Sequence, residues 1–202
     1  MPASAMELPD WAREVAGSVY LLFPLVGGAL LHGACMKWGW LGALRRPIDG
    51  GARWRGRPVF GANKTWRGPV TVSAGTAVFL ALQAHVLHRL EALAAIELFD
   101  SSHVSALLLG AAAGAAAELA ELPNSFVKRR LGVVPGGTAA DAWAALFYLW
   151  DQLDLLLGYW LVLSWVVEPT LLRVATSVAV VLSLHPLTTL IGYWLGLRPT
   201  AR

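Results

Sequence analysis

The sequence contains few charged residues for its length. Asp, Glu, Lys and Arg make up 14% of the 202 residues, whereas soluble globular domains usually carry about 25%. Hydrophobic residues reach 56% and the mean hydropathy is +0.56, so the composition predicts an integral membrane protein. The formal net charge of +3 comes from basic residues that lie mostly between apolar stretches. It therefore indicates a membrane surface or phosphate ligands, and we expect no nucleic-acid partner.

Other features are absent as well. Cys35 is the single cysteine, which excludes an internal disulfide bond and a cysteine-rich zinc site. Residues 1–13 lack the basic region and small-residue cleavage site of a secretory signal peptide, so we expect the first apolar stretch to be a retained span. No Gly-x-Ser-x-Gly nucleophile elbow occurs.

Apolar stretches long enough to cross a bilayer recur along the whole chain. A span needs about 20 apolar residues as a helix. The pattern predicts an all-α membrane protein, a compact bundle of about five transmembrane helices in a single domain over residues 1–202. The predicted spans are 15–38, 69–87, 104–122, 144–167 and 171–195. The fourth contains two acids, so an alternative is a surface helix over 139–150 followed by a shorter span.

The basic residues are distributed unequally between the two predicted sides of the membrane. Thirteen Lys and Arg residues flank or fill the loop after the first span or follow the third and fifth spans, with Lys37 at the end of the first span included. The other side receives only Arg13, Arg89 and Arg173. Cytoplasmic loops carry an excess of Lys and Arg, so we expect the N-terminus outside, the C-terminus in the cytoplasm, and the polar motifs on the cytoplasmic face of the plasma membrane.

Asp151 and Asp154 stand in an otherwise apolar stretch. At positions i and i+3 of a helix they project from the same side, and carboxylates at membrane depth are costly unless they serve a function. Oxygen ligands on one helix face suit Mg²⁺, whereas the simpler interpretation is a helix N-terminus whose dipole favours acids. Glu118 and Glu121 form a second such pair, and we expect their helix to end at Pro123.

Two polar segments have residues suited to binding anions. Lys128, Arg129 and Arg130 precede a glycine-containing stretch in which backbone N–H groups could approach phosphate oxygens, although positive charge beside a span is also ordinary topology. The stretch GANKTWRG at 61–68 opens the second span, and a helix N-terminus is a ready anion site. Its glycine and lysine spacing does not match a P-loop.

These motifs together resemble the CDP-archaeol synthase family, relatives of the CDP-diacylglycerol synthases. The matching stretches are GANKTWRG at 61–68, ELPNSFVKRRLG at 121–132 and DQLD at 151–154. The resemblance implies that a membrane lipid phosphate, of the archaeol ether type or phosphatidate, attacks the α-phosphate of CTP to give a CDP-lipid and pyrophosphate with Mg²⁺.

The resemblance also assigns roles to residues. The expected metal ligands are Glu121, Asp151 and Asp154, and the expected catalytic residues are Lys128, Asp151 and Asp154. The expected substrate-binding residues are Asn63, Lys64, Thr65, Arg67, Ser125, Lys128, Arg129 and Arg130. The expected partners are CTP, the lipid phosphate and the bilayer, and a homodimer is a further expectation.

Two departures from the family pattern leave other functions open. The family usually has Gly-Asp-Leu where this chain has Ala120-Glu121-Leu122, and the segment between Arg130 and Asp151 is longer than usual. One alternative is a small transporter or channel that uses the intramembrane acids as relay groups. Another is an inactive family member that acts as a membrane scaffold. A CDP-alcohol phosphotransferase is disfavoured because its longer aspartate series is absent.

Overall fold

Long helices make up most of the fold, as the apolar stretches predict. The computed structural model describes residues 8–87, 96–99, 103–135, 137 and 143–194. Within these ranges, helices form wherever the sequence is rich in Leu, Ala and Val. They are α1 (Asp10–Lys37), α2 (Arg67–Leu87), α3 (His103–Arg130), α4 (Trp143–Leu163) and α5 (Leu171–Trp194).

Four of these helices are long and apolar enough to cross a membrane. The qualifying stretches are Asp10–Lys37, Arg67–Val86, Ser105–Arg130 and Ala144–Leu163. This confirms the prediction of a multi-pass, all-helical membrane protein. In α5 the apolar stretch Leu171–Leu184 is shorter, and the side chains beyond it lie outside the described residues, so the fifth span stays a prediction.

The helices pack through small residues and a shared apolar core. α2 lies between α1 and α3, α3 also packs against α4, and α5 contacts α1 and α4. A Cβ atom on Gly114 of α3 would lie 2.8 Å from the carbonyl oxygen of Val72 in α2, so only glycine allows this approach of the backbones. The hydroxyl of the fully buried Tyr159 donates to the carbonyl of Leu21 at 2.8 Å, which ties α4 to α1.

The predicted end of α3 at Pro123 is wrong. The helix continues through the proline to Arg130, although proline supplies no N–H and usually costs about 3 kcal/mol inside a helix. The residues that follow it are held by tertiary packing, because Asn124 and Ser125 are both buried. They therefore belong to the helix and not to a turn.

The acid pair Asp151 and Asp154 lies within one continuous helix, α4. The alternative of a surface helix that ends at residue 150 is therefore wrong. Residues 139–142, where that helix would have begun, lie outside the described part of the chain.

The loop between α1 and α2 is ordered by backbone pairing. It contains a short antiparallel hairpin of β1 (Arg53–Trp54) and β2 (Arg57–Pro58). Near its ends the N–H of Ile48 donates to the carbonyl of Lys64 at 2.9 Å. The loop thus returns to the start of α2 and brings the segment 61–66 against α3.

Candidate active site

The centre of the site is a hydrogen-bonded cluster between α3 and α4. Asn124 of α3 donates from Nδ2 to Oδ1 of Asp151 at 2.6 Å and to Oδ2 of Asp154 at 2.9 Å. Asn124 and Asp154 are 2% and 3% exposed. One amide group therefore holds both carboxylates, which explains how two acids one helical turn apart are tolerated in an apolar helix.

Lys128 lies one helical turn after Asn124 and faces the same cluster. Its ammonium group donates to both carboxylate oxygens of Asp151, and Nζ lies 5.5 Å from the centre of the Phe147 ring. The Lys128 side chain is 11% exposed, whereas that of Asp151 is 46% exposed. The ion pair is therefore buried on the lysine side and accessible on the aspartate side.

A second ion pair joins the loop to α3. Lys64 donates to Oε2 of Glu121, and both side chains are about one-fifth exposed. Burial lowers the pKa of Lys64 below its ordinary value, although the carboxylates of Glu118, Asp154 and Asp151 act in the opposite direction. The lysine thus lies in an acidic environment, where an incoming phosphate would compete with carboxylates for the Lys64 ammonium group.

The loop that carries Lys64 is held by Asp49. Oδ2 of Asp49 accepts from the N–H of Phe60 and Oδ1 from the N–H of Gly51, both at 2.9 Å. Burial raises the pKa of Asp49, but these hydrogen bonds outweigh it and bring the pKa below the ordinary value. Asp49 therefore fixes the loop as an ionised carboxylate.

Two neighbouring cavities share one wall. The first, of about 300 Å³, contains most of the predicted site and is lined by Asn63, Lys64, Glu121, Asn124, Ser125, Lys128, Gly137, Asp151 and Asp154. The second, of about 450 Å³, has the more basic lining and includes Arg45, Asn63, Lys64, Thr65, Arg67, Glu118 and Glu121. Because Asn63, Lys64 and Glu121 line both, they form the partition between the two cavities.

The second cavity reaches the start of α2. His32 Nδ1 lies 2.7 Å from Oγ1 of Thr71, and that hydroxyl is itself 2.7 Å from the carbonyl of Arg67. A Cβ atom on Gly68 would collide with Oε2 of Glu118, so glycine is needed for this carboxylate to lie against the first turn of α2. The cavity therefore presents a histidine, an arginine and the half-buried carboxylate of Glu118 together.

The structure places Arg129 and Arg130 outside both cavities. Arg129 is buried, and its Nε and Nη1 atoms have no hydrogen-bond partner among the residues that the structure describes. Arg130 lies 5.2 Å from the centre of the Trp54 ring and 5.0 Å from that of Phe126. It also donates to the carbonyls of Trp54 and Pro58. Arg130 thus fastens the hairpin to the end of α3.

The oxygen donors of the cluster fit a hard cation. Oδ1 of Asn124 is buried and has no hydrogen-bond partner in the described part of the chain, and the Asp151 and Asp154 carboxylates adjoin it. Mg²⁺ is usually held by one or two carboxylates, with water and substrate phosphates as the remaining ligands. Among the described residues, no three His, Cys, Asp or Glu side chains are placed to hold one ion together, so Glu121 does not complete a three-acid group.

Comparisons with known proteins agree with this architecture. The family model for CarS-like proteins, CDP-archaeol synthase, matches residues 19–201. This chain belongs to the CDP-archaeol synthase family. The membership confirms the resemblance that the three motifs carry.

Individual CDP-archaeol synthases are moderately similar in sequence to this chain. The enzyme of Halobacterium salinarum is 37% identical over 161 residues, which cover 76% of this chain and 81% of that protein. The enzyme of Hyperthermus butylicus is 34% identical over 157 residues, covering 76% and 79%. A solved structure of an intramembrane enzyme for archaeal membrane lipids biosynthesis superposes with a TM-score of 0.61 at 25% identity, covering 85% of this chain and 92% of that one.

Proposed function

We propose that this protein is a membrane-embedded, CTP-dependent cytidylyltransferase that converts an archaeal ether-lipid phosphate to a CDP-lipid and pyrophosphate. The proposal rests on the cluster of Asn124, Asp151 and Asp154. This cluster lines one cavity together with Lys64 and Lys128. Family membership supplies the reaction class, and the cluster supplies groups suited to it.

The reaction needs positioning and charge neutralisation more than a covalent nucleophile. An oxygen of the lipid phosphate forms a new bond to the α-phosphorus of CTP. The bond from that phosphorus to the bridging oxygen of the β-phosphate breaks, and pyrophosphate leaves with the electron pair. No proton has to be removed from the attacking phosphate oxygen, so the site requires no histidine or serine base.

The chain's own residues divide this work. Lys128 and Lys64 turn from carboxylate partners towards phosphate oxygens, which neutralises charge on the nucleotide and on the leaving pyrophosphate. Asn63, which lines both cavities, and Thr65, which lines the larger one, bind the nucleotide. Arg67 supplies a further cation in the larger cavity. Ser125 lines the smaller cavity, where its hydroxyl bonds a phosphate oxygen.

Mg²⁺ is part of this proposal. Asp151, Asp154 and Oδ1 of Asn124 would hold it, and it would polarise phosphate oxygens and offset their charge. The smaller cavity has three carboxylates against two lysines among its lining residues. A divalent cation would reverse this excess of negative charge and favour a triphosphate.

Orientation and assembly stay predictions. The excess of basic residues on one side supports a cytoplasmic active site, with the N-terminus outside, in the plasma membrane. The same side would give access to CTP. A homodimer is a further prediction that crosslinking in the membrane would test.

The test is product formation by the purified protein in nanodiscs with Mg²⁺, labelled CTP and a panel of lipid phosphates. We expect CDP-lipid and pyrophosphate in equal amounts, and no turnover by Asp154→Asn. Glu168→Gln is the matched control, because this exposed carboxylate lies beyond the C-terminal end of α4. If the wild-type protein forms neither product with any lipid phosphate, the proposal fails and the scaffold alternative gains support.

A further inference from the structure

The two polar cavities differ in the chemistry of their linings. In the part of the chain that the structure describes, the smaller cavity is lined by polar and charged residues apart from Gly137, and it contains the acid cluster and Lys128. The larger cavity adds the apolar side chains of Met36, Ile48 and Leu122. Apolar side chains suit the faces of an aromatic base, whereas lysines suit phosphate oxygens. A nucleotide that spans both cavities would therefore have its phosphates in the smaller one and its base in the larger one.

His32 brings an acceptor nitrogen to the larger cavity. Its Nδ1 lies 2.7 Å from Oγ1 of Thr71, and that hydroxyl donates its one proton to the carbonyl of Arg67 at 2.7 Å. Nδ1 must therefore carry the hydrogen of this contact, which leaves Nε2 of the neutral ring with a lone pair that can accept a hydrogen bond. Because Thr71 is 2% exposed, water has little access to reverse this arrangement. His32 lines the cavity, so Nε2 is the ring nitrogen that remains for a ligand.

Glu118 brings a carboxylate to the same cavity. Its side chain lies against the first turn of α2, where the lack of a side chain at Gly68 makes room for it. An ionised carboxylate can only accept hydrogen bonds, as can Nε2 of His32 in this tautomer. Neither His32 nor Glu118 has a part in the proposed transfer of the nucleotidyl group. The larger cavity thus contains two acceptors that suit an N–H donor on the ligand.

We propose that His32 and Glu118 select cytosine over uracil by accepting hydrogen bonds from the 4-amino group of the base. The inference rests on the proposed function and adds how the site distinguishes CTP from UTP. The amino group has two hydrogens, one for each acceptor, and carboxylates also accept from this group in nucleic-acid recognition. Uracil carries a carbonyl oxygen at the same position. In a UTP complex two acceptors would therefore face a third, with no hydrogen between them.

The ratio of kcat/KM for CTP to that for UTP tests the assignment, with the purified protein in nanodiscs, Mg²⁺ and one lipid phosphate. We expect a ratio of about 100 for the wild type. His32→Phe keeps a ring but removes the acceptor, and it should lower the ratio about tenfold by reducing kcat/KM for CTP. Glu118→Gln can present either an oxygen or an N–H to the base, so it should lower the ratio chiefly by raising kcat/KM for UTP.

His85→Phe and Glu168→Gln are the matched controls. Both side chains are exposed; His85 lies near the opposite end of α2 from Gly68, and Glu168 lies beyond the C-terminal end of α4. These variants should keep the wild-type ratio. Because both nucleotides are measured on one preparation, an unfolded fraction lowers both rates equally and leaves the ratio unchanged.

The outcomes separate this assignment from the proposed function. If the wild type turns over and neither His32→Phe nor Glu118→Gln changes the ratio, the assignment is overturned and the proposed function stands. A wild type that uses CTP and UTP equally well would overturn the assignment too. If the wild type forms no product with any lipid phosphate, the failure lies in the proposed function.

Discussion

Nδ2 of Asn124 lies 2.9 Å from Oδ2 of Asp154, and this hydrogen bond joins α3 to α4 inside the protein. The same nitrogen also bonds Asp151. The position of both acids therefore depends on a residue that carries no charge. Because Asp154 is buried, its carboxylate has little access to water that could replace a lost donor.

We expect Asn124→Ala to weaken both the fold and the site. Loss of the amide leaves Oδ2 of the buried Asp154 without the donor that Asn124 supplies, while Oδ1 keeps the N–H of Leu155 at 2.9 Å. A buried polar atom that loses its partner typically costs about 1–3 kcal/mol of unfolding free energy. Removal of an orienting partner of metal ligands usually lowers metal affinity by about 10–100-fold. Thermal unfolding and the Mg²⁺ dependence of turnover measure the two effects.

The control for Asn124 is Ser18→Ala. Ser18 is also buried and hydrogen-bonded, to the carbonyl of Glu14 at 2.7 Å, but it lies in α1 near the opposite end of that helix from His32. This variant should change stability without changing the Mg²⁺ dependence. An unchanged Mg²⁺ dependence in Asn124→Ala would show that the amide does not organise a metal site.

The ion pair between Lys64 and Glu121 predicts energetic coupling in catalysis. Lys64→Met and Glu121→Gln should each lower kcat/KM for CTP, and the double variant should deviate from additivity by about 0.5–3 kcal/mol, as residues in contact commonly do. Additive effects would mean that the two residues act independently. In that case Glu121 would serve the site without positioning Lys64.

Arg173 and Glu14 provide a matched control pair for that cycle. Arg173 donates from Nε and Nη2 to the Glu14 carboxylate at 2.7 and 2.6 Å, joining α5 to α1 away from both polar cavities. Substitutions here should lower the temperature of unfolding in a coupled way. They should leave kcat/KM for CTP unchanged.

Asp49 predicts that order in the loop between α1 and α2 depends on pH. Its folded pKa is below the ordinary value of 3.8, so its stabilising contribution is complete above that value and is lost as the pH falls through the folded pKa. Hydrogen exchange of the Phe60 and Gly51 amides should therefore lose protection at acidic pH. In Asp49→Asn that protection should be lower and should not change over the same pH window.

The sequence predicts the membrane fold, and it predicts most of the residues that line the smaller cavity, because both follow from local patterns. Span lengths and the spacing of Asp151 and Asp154 depend only on helix geometry. Asn124 was missed because Pro123 indicated the end of the helix. Because the helix continues through Pro123, residues 121, 124, 125 and 128 lie on one face. Their helical spacing is the sequence pattern that could have identified Asn124 as a site residue.

Tertiary contacts could not be predicted in the same way. Nothing local indicates that Lys64 pairs with Glu121, 57 positions later, or that His32 contacts Thr71. The role of Arg130 illustrates the limit. Its place in a basic run indicated phosphate binding, whereas its partners are backbone carbonyls on a hairpin more than 70 residues earlier.

Arg130 should therefore act on stability more than on nucleotide binding. The Arg130 guanidinium lies over two rings that are stacked on each other, Trp54 and Phe126, and it also donates to carbonyls. Lysine cannot replace it, because an ammonium lacks the planar fork. We expect Arg130→Lys to lower the free energy of unfolding by about 1–3 kcal/mol and to expose the 53–58 hairpin to proteolysis. KM for CTP should stay near the wild-type value, whereas Lys64→Met raises it. A large rise in KM for Arg130→Lys with an intact hairpin would instead support the phosphate-binding role that the sequence predicted.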